Sequence, residues 1–236
     1  MIDRIAKETL NIILLIDASK SMQGKRIKQV DSAINDIKDY LNDLQTENTN
    51  VDFYLTLIPF NNDAYFYKDK ESINIERFIY NGIKCGGYSN LHCAYEKLGT
   101  IMKKESKGGI MPDFGGAAPI ILLLTDGHPT GNDYKKALDD IKDIPWFKAA
   151  LRYGIAIELN DARTGQVLKD FVGNNGEVIS CYDSSMLQNI IKIIVLTASK
   201  VKSTSANVAS GPHVSQNQIA QQSIAEALSD IDNWGW

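Results

Sequence analysis

The sequence has few cysteines and histidines, and their spacing matches neither a zinc site nor a disulfide framework. Its 236 residues include three cysteines and three histidines. The cysteines are Cys85, Cys93 and Cys181, an odd number at wide spacing without a C-x-x-C pair. This argues against a zinc ribbon and against a fold held by disulfides. We therefore expect a cytoplasmic protein with reduced thiols.

The sequence also lacks an excess of positive charge and a long apolar run. The net charge of −4 argues against a surface that binds nucleic acid or anionic membranes. The apolar run near the N-terminus ends at Asp17, so it is too short to span a bilayer, and it lacks the small-residue cleavage site of a signal peptide. We expect neither nucleic acid nor a membrane among the partners.

What the sequence does contain is an alternation of strand-like and helix-like segments. Residues 12–16 and 120–124 are wholly aliphatic, which is typical of central strands buried on both faces. The predicted helices cover residues 25–44, 91–102, 133–147, 165–172 and 186–201, and the other predicted strands cover residues 51–60, 64–67, 150–158 and 177–181. The alternation predicts an α/β fold with a doubly wound, mostly parallel central sheet and helices on both faces. Residues 64–67 are expected to form its one antiparallel edge strand.

Polar side chains follow both aliphatic strands. Asp17, Ser19 and Ser21 come directly after the first strand, and Asp126 follows the second. Ser89 lies in a glycine-rich loop just before a predicted helix. Because the carboxyl ends of parallel strands meet at one edge of the sheet, we expect these side chains to converge there. Two carboxylates and three hydroxyls are oxygen ligands of the kind that Mg²⁺, Mn²⁺ or Ca²⁺ prefer.

These motifs resemble those of the von Willebrand factor A (VWA) domain and its metal-ion-dependent adhesion site. The family pattern is D-x-S-x-S, then a threonine in a G-G-T loop, then the aspartate of T-D-G. The first motif matches as Asp17-Ala18-Ser19-Lys20-Ser21, and the third as Thr125-Asp126-Gly127. In the second, the family threonine could match Tyr88 or Ser89. The spacing to Leu91 and Ala94 favours Ser89, which keeps the hydroxyl.

The resemblance implies a VWA domain over residues 1–202 with a divalent cation, Mg²⁺ or else Mn²⁺ or Ca²⁺. The hydroxyls of Ser19, Ser21 and Ser89 would contact the metal directly, while Asp17 and Asp126 would act partly through waters. The open coordination position would accept an Asp or Glu side chain of a protein partner. The segment after Thr125 is also similar to the bacterial TerY type, linked to tellurium resistance. That similarity implies Ser/Thr kinase and phosphatase partners in a stress-response or signalling complex.

Other interpretations of the same residues stay open. Asp17 could be the nucleophile of a metal-dependent phosphohydrolase, although the position two residues on, where such an enzyme needs a general acid, holds Ser19. The protein could be a scaffold whose metal site is vestigial, because the second motif departs from the family. Ser89 could simply cap the helix that follows it. We expect a non-enzymatic interaction module.

Residues 203–236 are predicted to be a polar linker followed by an amphipathic helical tail. The chain ends with acidic and aromatic side chains, and the candidate partner-binding residues are Asp230, Asp232, Trp234 and Trp236. The tail either folds back on its own domain or docks into a groove of another protein. A second copy of the chain is one candidate partner, since Asp230 or Asp232 could offer its carboxylate to that copy's metal site.

Overall fold

A six-stranded sheet, in the order β3-β2-β1-β4-β5-β6, forms the centre of the computed structural model. The structure describes residues 7–47, 51–114, 116–127, 129–130, 133–158, 162–173, 176–205 and 226. The strands are β1 (Glu8–Asp17), β2 (Val51–Phe60), β3 (Ile73–Asn74), β4 (Ile120–Thr125), β5 (Leu151–Ile157) and β6 (Gly176–Cys181). All neighbouring pairs are parallel except β2 with β3. The predicted mostly parallel α/β sheet with one antiparallel edge strand is confirmed.

Strand β1 lies in the middle of the sheet because its side chains are apolar in both directions. Ile12, Leu14 and Ile16 belong to one core cluster, whereas Ile13 and Leu15 belong to the other. All five are essentially inaccessible to solvent. A strand buried on both faces needs this continuous aliphatic run, since neither set of alternate residues meets water. The polar residues that follow the run therefore leave the sheet at its carboxyl edge.

Helices cover both faces of the sheet. They are α1 (Lys25–Glu47), α2 (Leu91–Ile101), α3 (Tyr134–Lys142), α4 (Pro145–Ala149), α5 (Ala162–Val172) and α6 (Ser184–Ser205). Side chains of α1 and α6 pack in one core cluster, and those of α2, α3, α4 and α5 pack in the other. In α1 the buried apolar residues recur every three or four positions, the spacing that places them on one helical face. They are Ile27, Val30, Ala33, Ile34, Ile37 and Leu41.

Two predicted elements differ in the structure. The antiparallel edge strand is Ile73–Asn74, which pairs with β2, and not residues 64–67. Ala64 forms only an isolated bridge to Phe60, and the predicted strand already ends at Tyr67, where a short 3₁₀ turn over Tyr67–Asp69 begins. The single helix predicted over residues 133–147 is broken into α3 and α4. Proline at the first position of α4 keeps the preceding residue extended, which prevents one continuous helix.

The C-terminal predictions are largely outside the described residues. Helix α6 continues to Ser205, beyond the predicted end at residue 201 and across the predicted domain boundary at residue 202. Asp230, Asp232, Trp234 and Trp236 lie outside the described residues, so the docking role of the tail stays a prediction. Within the described part of the chain, no helix is both long enough and apolar enough to cross a membrane.

Candidate functional site

Asp17 is the centre of a hydrogen-bonded cluster at the carboxyl edge of the sheet. It is the last residue of β1 and is fully buried. Its Oδ1 accepts from the Ser19 backbone N–H at 2.8 Å, and its Oδ2 accepts from the hydroxyls of Ser89 at 2.9 Å and Thr125 at 2.7 Å. The loops after β1 and before α2 and the end of β4 therefore meet at one carboxylate.

The environment of Asp17 acts on its pKa in opposite directions. Burial raises the pKa, because it disfavours the charged form, while hydrogen bonds from Ser19, Thr125 and Ser89 lower it, and the net shift is upward. A buried carboxylate without a nearby cation is costly unless hydrogen bonds or a bound ion compensate for the lost hydration. The three donors supply part of that compensation, and they leave negative charge for which a cation would be a favourable neighbour.

Ser19, Ser21 and Asp126 form a second line of oxygens beside Asp17. The Ser19 and Ser21 hydroxyl oxygens lie 3.0 Å apart, and the Ser21 hydroxyl donates to Asp126 Oδ1 at 2.8 Å. The Asp126 side chain is only 1% exposed. The five residues predicted as metal ligands are thus brought together, although their role in metal binding stays a prediction.

The glycine-rich loop that carries Ser89 is held against the first loop by backbone hydrogen bonds. Gly86 N–H donates to Ala18 O at 2.9 Å, and Lys20 N–H donates to Gly87 O at 3.1 Å. Gly87 has a φ of +76°, and a Cβ there would lie 2.5 Å from Asn62 Oδ1, so glycine is required. Two residues after Gly87, the Ser89 hydroxyl donates to Asp17 Oδ2. Asn90, and not Ser89, occupies the N-cap position of α2.

Arg26 and Glu158 belong to the site although the sequence did not indicate them. Arg26 Nη1 donates to Asp126 Oδ2 at 2.6 Å and to Ser21 O at 3.1 Å, and its Nε donates to Glu158 Oε2 at 3.3 Å. Glu158 directly follows β5 and could have been found as the carboxylate at the end of a third parallel strand. A hydrogen bond from Lys25 holds the pKa of Glu158 below its ordinary value.

The oxygen donors of this site favour a hard divalent cation, with two carboxylates as its charged ligands. No three His, Cys, Asp or Glu side chains gather as a metal cluster among the residues that the structure describes. A cation at this edge would therefore need hydroxyl oxygens besides the carboxylates of Asp17 and Asp126. Adjacent ligands of an octahedral Mg²⁺ at 2.0–2.1 Å lie about 2.9 Å apart. The spacings of 3.0 and 2.8 Å along Ser19, Ser21 and Asp126 fit that requirement.

Comparison of the sequence with known families and proteins gives a consistent result. The family model for the von Willebrand factor type A domain matches residues 11–207. Inter-alpha-trypsin inhibitor heavy chain H4 of Bos taurus is 30% identical over 134 residues, which are 54% of this chain and 14% of that protein. Heavy chain H1 of Sus scrofa is 26% identical over 147 residues, covering 59% and 15%. The chain thus spans about one seventh of the length of these curated relatives.

The solved structures that are similar in fold include a byssal matrix protein and a pilus adhesin. Proximal thread matrix protein 1 from the mussel byssus has a TM-score of 0.55 at 17% identity, covering 82% of this chain and 49% of that one. A further structure of that protein, described as having a zinc-occupied MIDAS motif, has a TM-score of 0.52 at 16% identity, with coverage of 82% and 48%. The pilus adhesin SpaC from Lactobacillus rhamnosus GG has a TM-score of 0.52 at 14% identity, with coverage of 82% and 30%. At these identities, the likeness shows the fold.

Proposed function

The chain belongs to the von Willebrand factor type A family, and on that basis we propose that it is a non-catalytic interaction module. It binds a divalent cation and recognises a carboxylate of a protein partner. The observation that supports this proposal is the convergence of Asp17, Ser19, Ser21, Ser89 and Asp126 at the carboxyl edge of the sheet. The cation would neutralise the buried carboxylates and offer an open position to the partner.

The oxygen donors also determine which cation we propose. Carboxylates and hydroxyls without a histidine or cysteine ligand favour Mg²⁺, with Mn²⁺ or Ca²⁺ as alternatives. Zinc was found in the metal site of the related mussel protein, but this donor set lacks the nitrogen and sulfur ligands that zinc prefers. When bound, the cation would supply a Lewis-acidic contact for an incoming carboxylate. The hydroxyls of Ser19, Ser21 and Ser89 would contact it directly, while Asp17 and Asp126 would act partly through waters.

We expect wild-type protein to bind Mg²⁺ or Mn²⁺ reversibly and weakly. The dissociation constant should lie at roughly 10⁻⁴–10⁻³ M, as for open oxygen sites that bind Ca²⁺. At a metal concentration equal to this constant, binding would stabilise the fold by only about 0.4 kcal/mol. Isothermal titration calorimetry of wild type and Asp17→Ala tests the assignment. The variant should bind no metal while keeping its far-UV circular dichroism spectrum, and equal binding by both proteins would contradict the proposal.

Partner recognition should depend on the bound cation. We expect partner binding to fail in excess EDTA and in Asp126→Ala, because the metal–carboxylate bond to the partner is then lost. The measurement is a pull-down from cell extract with and without chelator, followed by identification of the released proteins. Asp139→Ala is a matched control, since this carboxylate is exposed and pairs only locally with Lys142. Undiminished binding in EDTA would place the interface elsewhere and favour the scaffold with a vestigial site.

The phosphohydrolase alternative is less well supported by the site. A nucleophilic aspartate needs a free carboxylate oxygen and a nearby general acid. Both oxygens of Asp17 accept hydrogen bonds, and the position two residues on holds Ser19, whose backbone N–H is one of the donors. A phosphate-release assay with added Mn²⁺ or Mg²⁺ distinguishes the two functions, and we expect no turnover above background.

The finer biological assignments also remain proposals. We propose a cytoplasmic location, supported by three cysteines that form no disulfide. The TerY-like type, with kinase and phosphatase partners, rests on the sequence resemblance around Thr125-Asp126-Gly127. Self-association through Asp230, Asp232, Trp234 and Trp236 is tested by truncation after Ser205, the last residue of α6. Loss of self-association at an unchanged melting temperature would identify the tail as a docking element, whereas a lower melting temperature of the monomer would indicate packing on its own domain.

A further inference from the structure

Arg26 holds a position that makes it a competitor of any cation at this site. Its side chain is 33% exposed, while the Asp126 side chain that it contacts is 1% exposed. The 2.6 Å distance between Nη1 and Asp126 Oδ2 is short for a charge-assisted hydrogen bond. The other carboxylate oxygen of Asp126 accepts from Ser21. The Asp126 carboxylate therefore contacts the Ser21 hydroxyl through one oxygen and the Arg26 guanidinium through the other.

The contacts of Arg26 keep this charge in place. Its Nη1 also donates to the backbone oxygen of Ser21, and its Nε donates to Glu158. Glu158 has a left-handed φ of +51°, and its N–H donates to Cys181 O at 2.8 Å. Its side chain also pairs with Lys25 and accepts from Gln29. Backbone strain at a non-glycine residue persists only where surrounding contacts impose it, so Glu158 is a fixed support for the guanidinium.

We propose that Arg26 sets the cation affinity of the site by neutralising Asp126. This inference rests on the proposed function, because it concerns the same metal site. The guanidinium keeps Asp126 in its inward position when no metal is bound, so the oxygens are already arranged. It also places a positive charge beside the cation, which lowers affinity. Arg26 is thus a positioning residue that acts through Asp126, and it makes cation binding weak and readily reversible.

The direction of the effect follows from the charges. With Arg26 present, the carboxylates of Asp17 and Asp126 are partly balanced before any cation enters. Removing the guanidinium restores the full negative charge, and a divalent cation gains from it. We expect a modest gain in metal affinity, about tenfold, because the Arg26 side chain is partly exposed and solvent screens its charge.

The test is a titration of the full-length protein with Mn²⁺ and Mg²⁺ by isothermal titration calorimetry. Arg26→Gln should bind about tenfold more tightly than wild type, and Arg26→Lys, which keeps the charge, should stay within about threefold of it. Lys142→Gln is the matched control, since it removes one positive charge from an exposed residue that pairs with Asp139 and contacts no residue of the site. Its affinity should stay close to that of wild type.

A second measurement separates this role from a purely structural one. In EDTA, Arg26→Gln should melt at a lower temperature than wild type, and added Mg²⁺ should raise its melting temperature by more than that of wild type. A structural role alone would lower the first value without improving affinity. Unchanged or weaker binding by Arg26→Gln, with binding by wild type intact, overturns this inference and leaves the metal site standing. The same gain in Lys142→Gln also overturns it, and absence of binding in wild type and every variant defeats the metal site as well.

Discussion

Replacing Arg152 by methionine should destabilise the protein by about 2–4 kcal/mol. Arg152 lies in β5 and is buried, and its guanidinium donates to three backbone carbonyls. These are Phe147 O at 2.7 Å, Phe171 O at 3.0 Å and Val172 O at 3.0 Å. The last two belong to the C-terminal turn of α5, where carbonyls have no helical partner. Each buried group left unsatisfied costs about 1–3 kcal/mol.

The measurement is urea denaturation followed by circular dichroism, with Arg152→Lys as the matched control. Burial lowers the pKa of Arg152, but an arginine remains charged in a protein. The guanidinium therefore keeps all five of its N–H donors. Lysine keeps the charge but lacks the planar fork that reaches three carbonyls at once. We expect its loss to be intermediate. An unfolding midpoint of Arg152→Met equal to that of wild type would show that α5 ends without this support.

Replacing Gly154 by alanine should destabilise the protein by about 1–3 kcal/mol through overpacking. Gly154 is in the middle of β5, and a Cβ there would lie 2.8 Å from Leu168 Cβ and 3.0 Å from Leu168 Cδ2. The first of these atoms is bonded to the backbone of α5, so a rotamer change cannot relieve the contact. Helix α5 would have to move away from the sheet, and its buried residues would lose packing.

Gly165→Ala is the control for the effect of a glycine substitution. Gly165 lies inside α5, and a Cβ there would meet no atom within 4 Å. Alanine is a better helix former than glycine by about 0.8–1.0 kcal/mol, so this variant should be more stable than wild type. The two substitutions thus have opposite expected signs in the same denaturation experiment. A stabilising effect of Gly154→Ala would contradict this prediction, because it would mean that α5 packs less tightly against the sheet than the structure shows.

The sequence predicts best those parts of the fold in which a pattern of apolar and polar residues extends over many positions. The aliphatic run of β1 and its polar ending at Asp17 extend over enough residues to predict both the central strand and the position of the site. The edge strand Ile73–Asn74 has only two residues, too few for any alternation to be visible. The break before Pro145 could have been predicted, because the residue before a proline favours an extended backbone. The helical pattern of the residues on both sides of the proline hid it.

The sequence predicts the site residues that lie at the ends of strands. It does not predict contacts that depend on the length of a side chain. Asp17 and Asp126 end the two central strands, so parallel pairing brings them together. Arg26 lies in the first turn of α1, where an exposed arginine is the ordinary expectation. Its contact with Asp126 requires the length of its side chain and the position of Glu158 beside it. Neither is encoded in spacing along the chain, and only three-dimensional structure shows them together.

The middle position of β1 has a consequence for protein synthesis. β1 leaves the ribosome before β4, which is one of its two neighbours, and the Thr125 hydroxyl that reaches Asp17 lies 108 residues further along. Until that segment is made, one edge of a strand with five consecutive aliphatic residues has no partner and is open to association with other chains. The carboxylates of Asp17 and Asp126 come together only after β4 has paired with β1. A nascent chain that has completed β2 but not β4 is therefore expected to need a chaperone and to be unable to bind a cation.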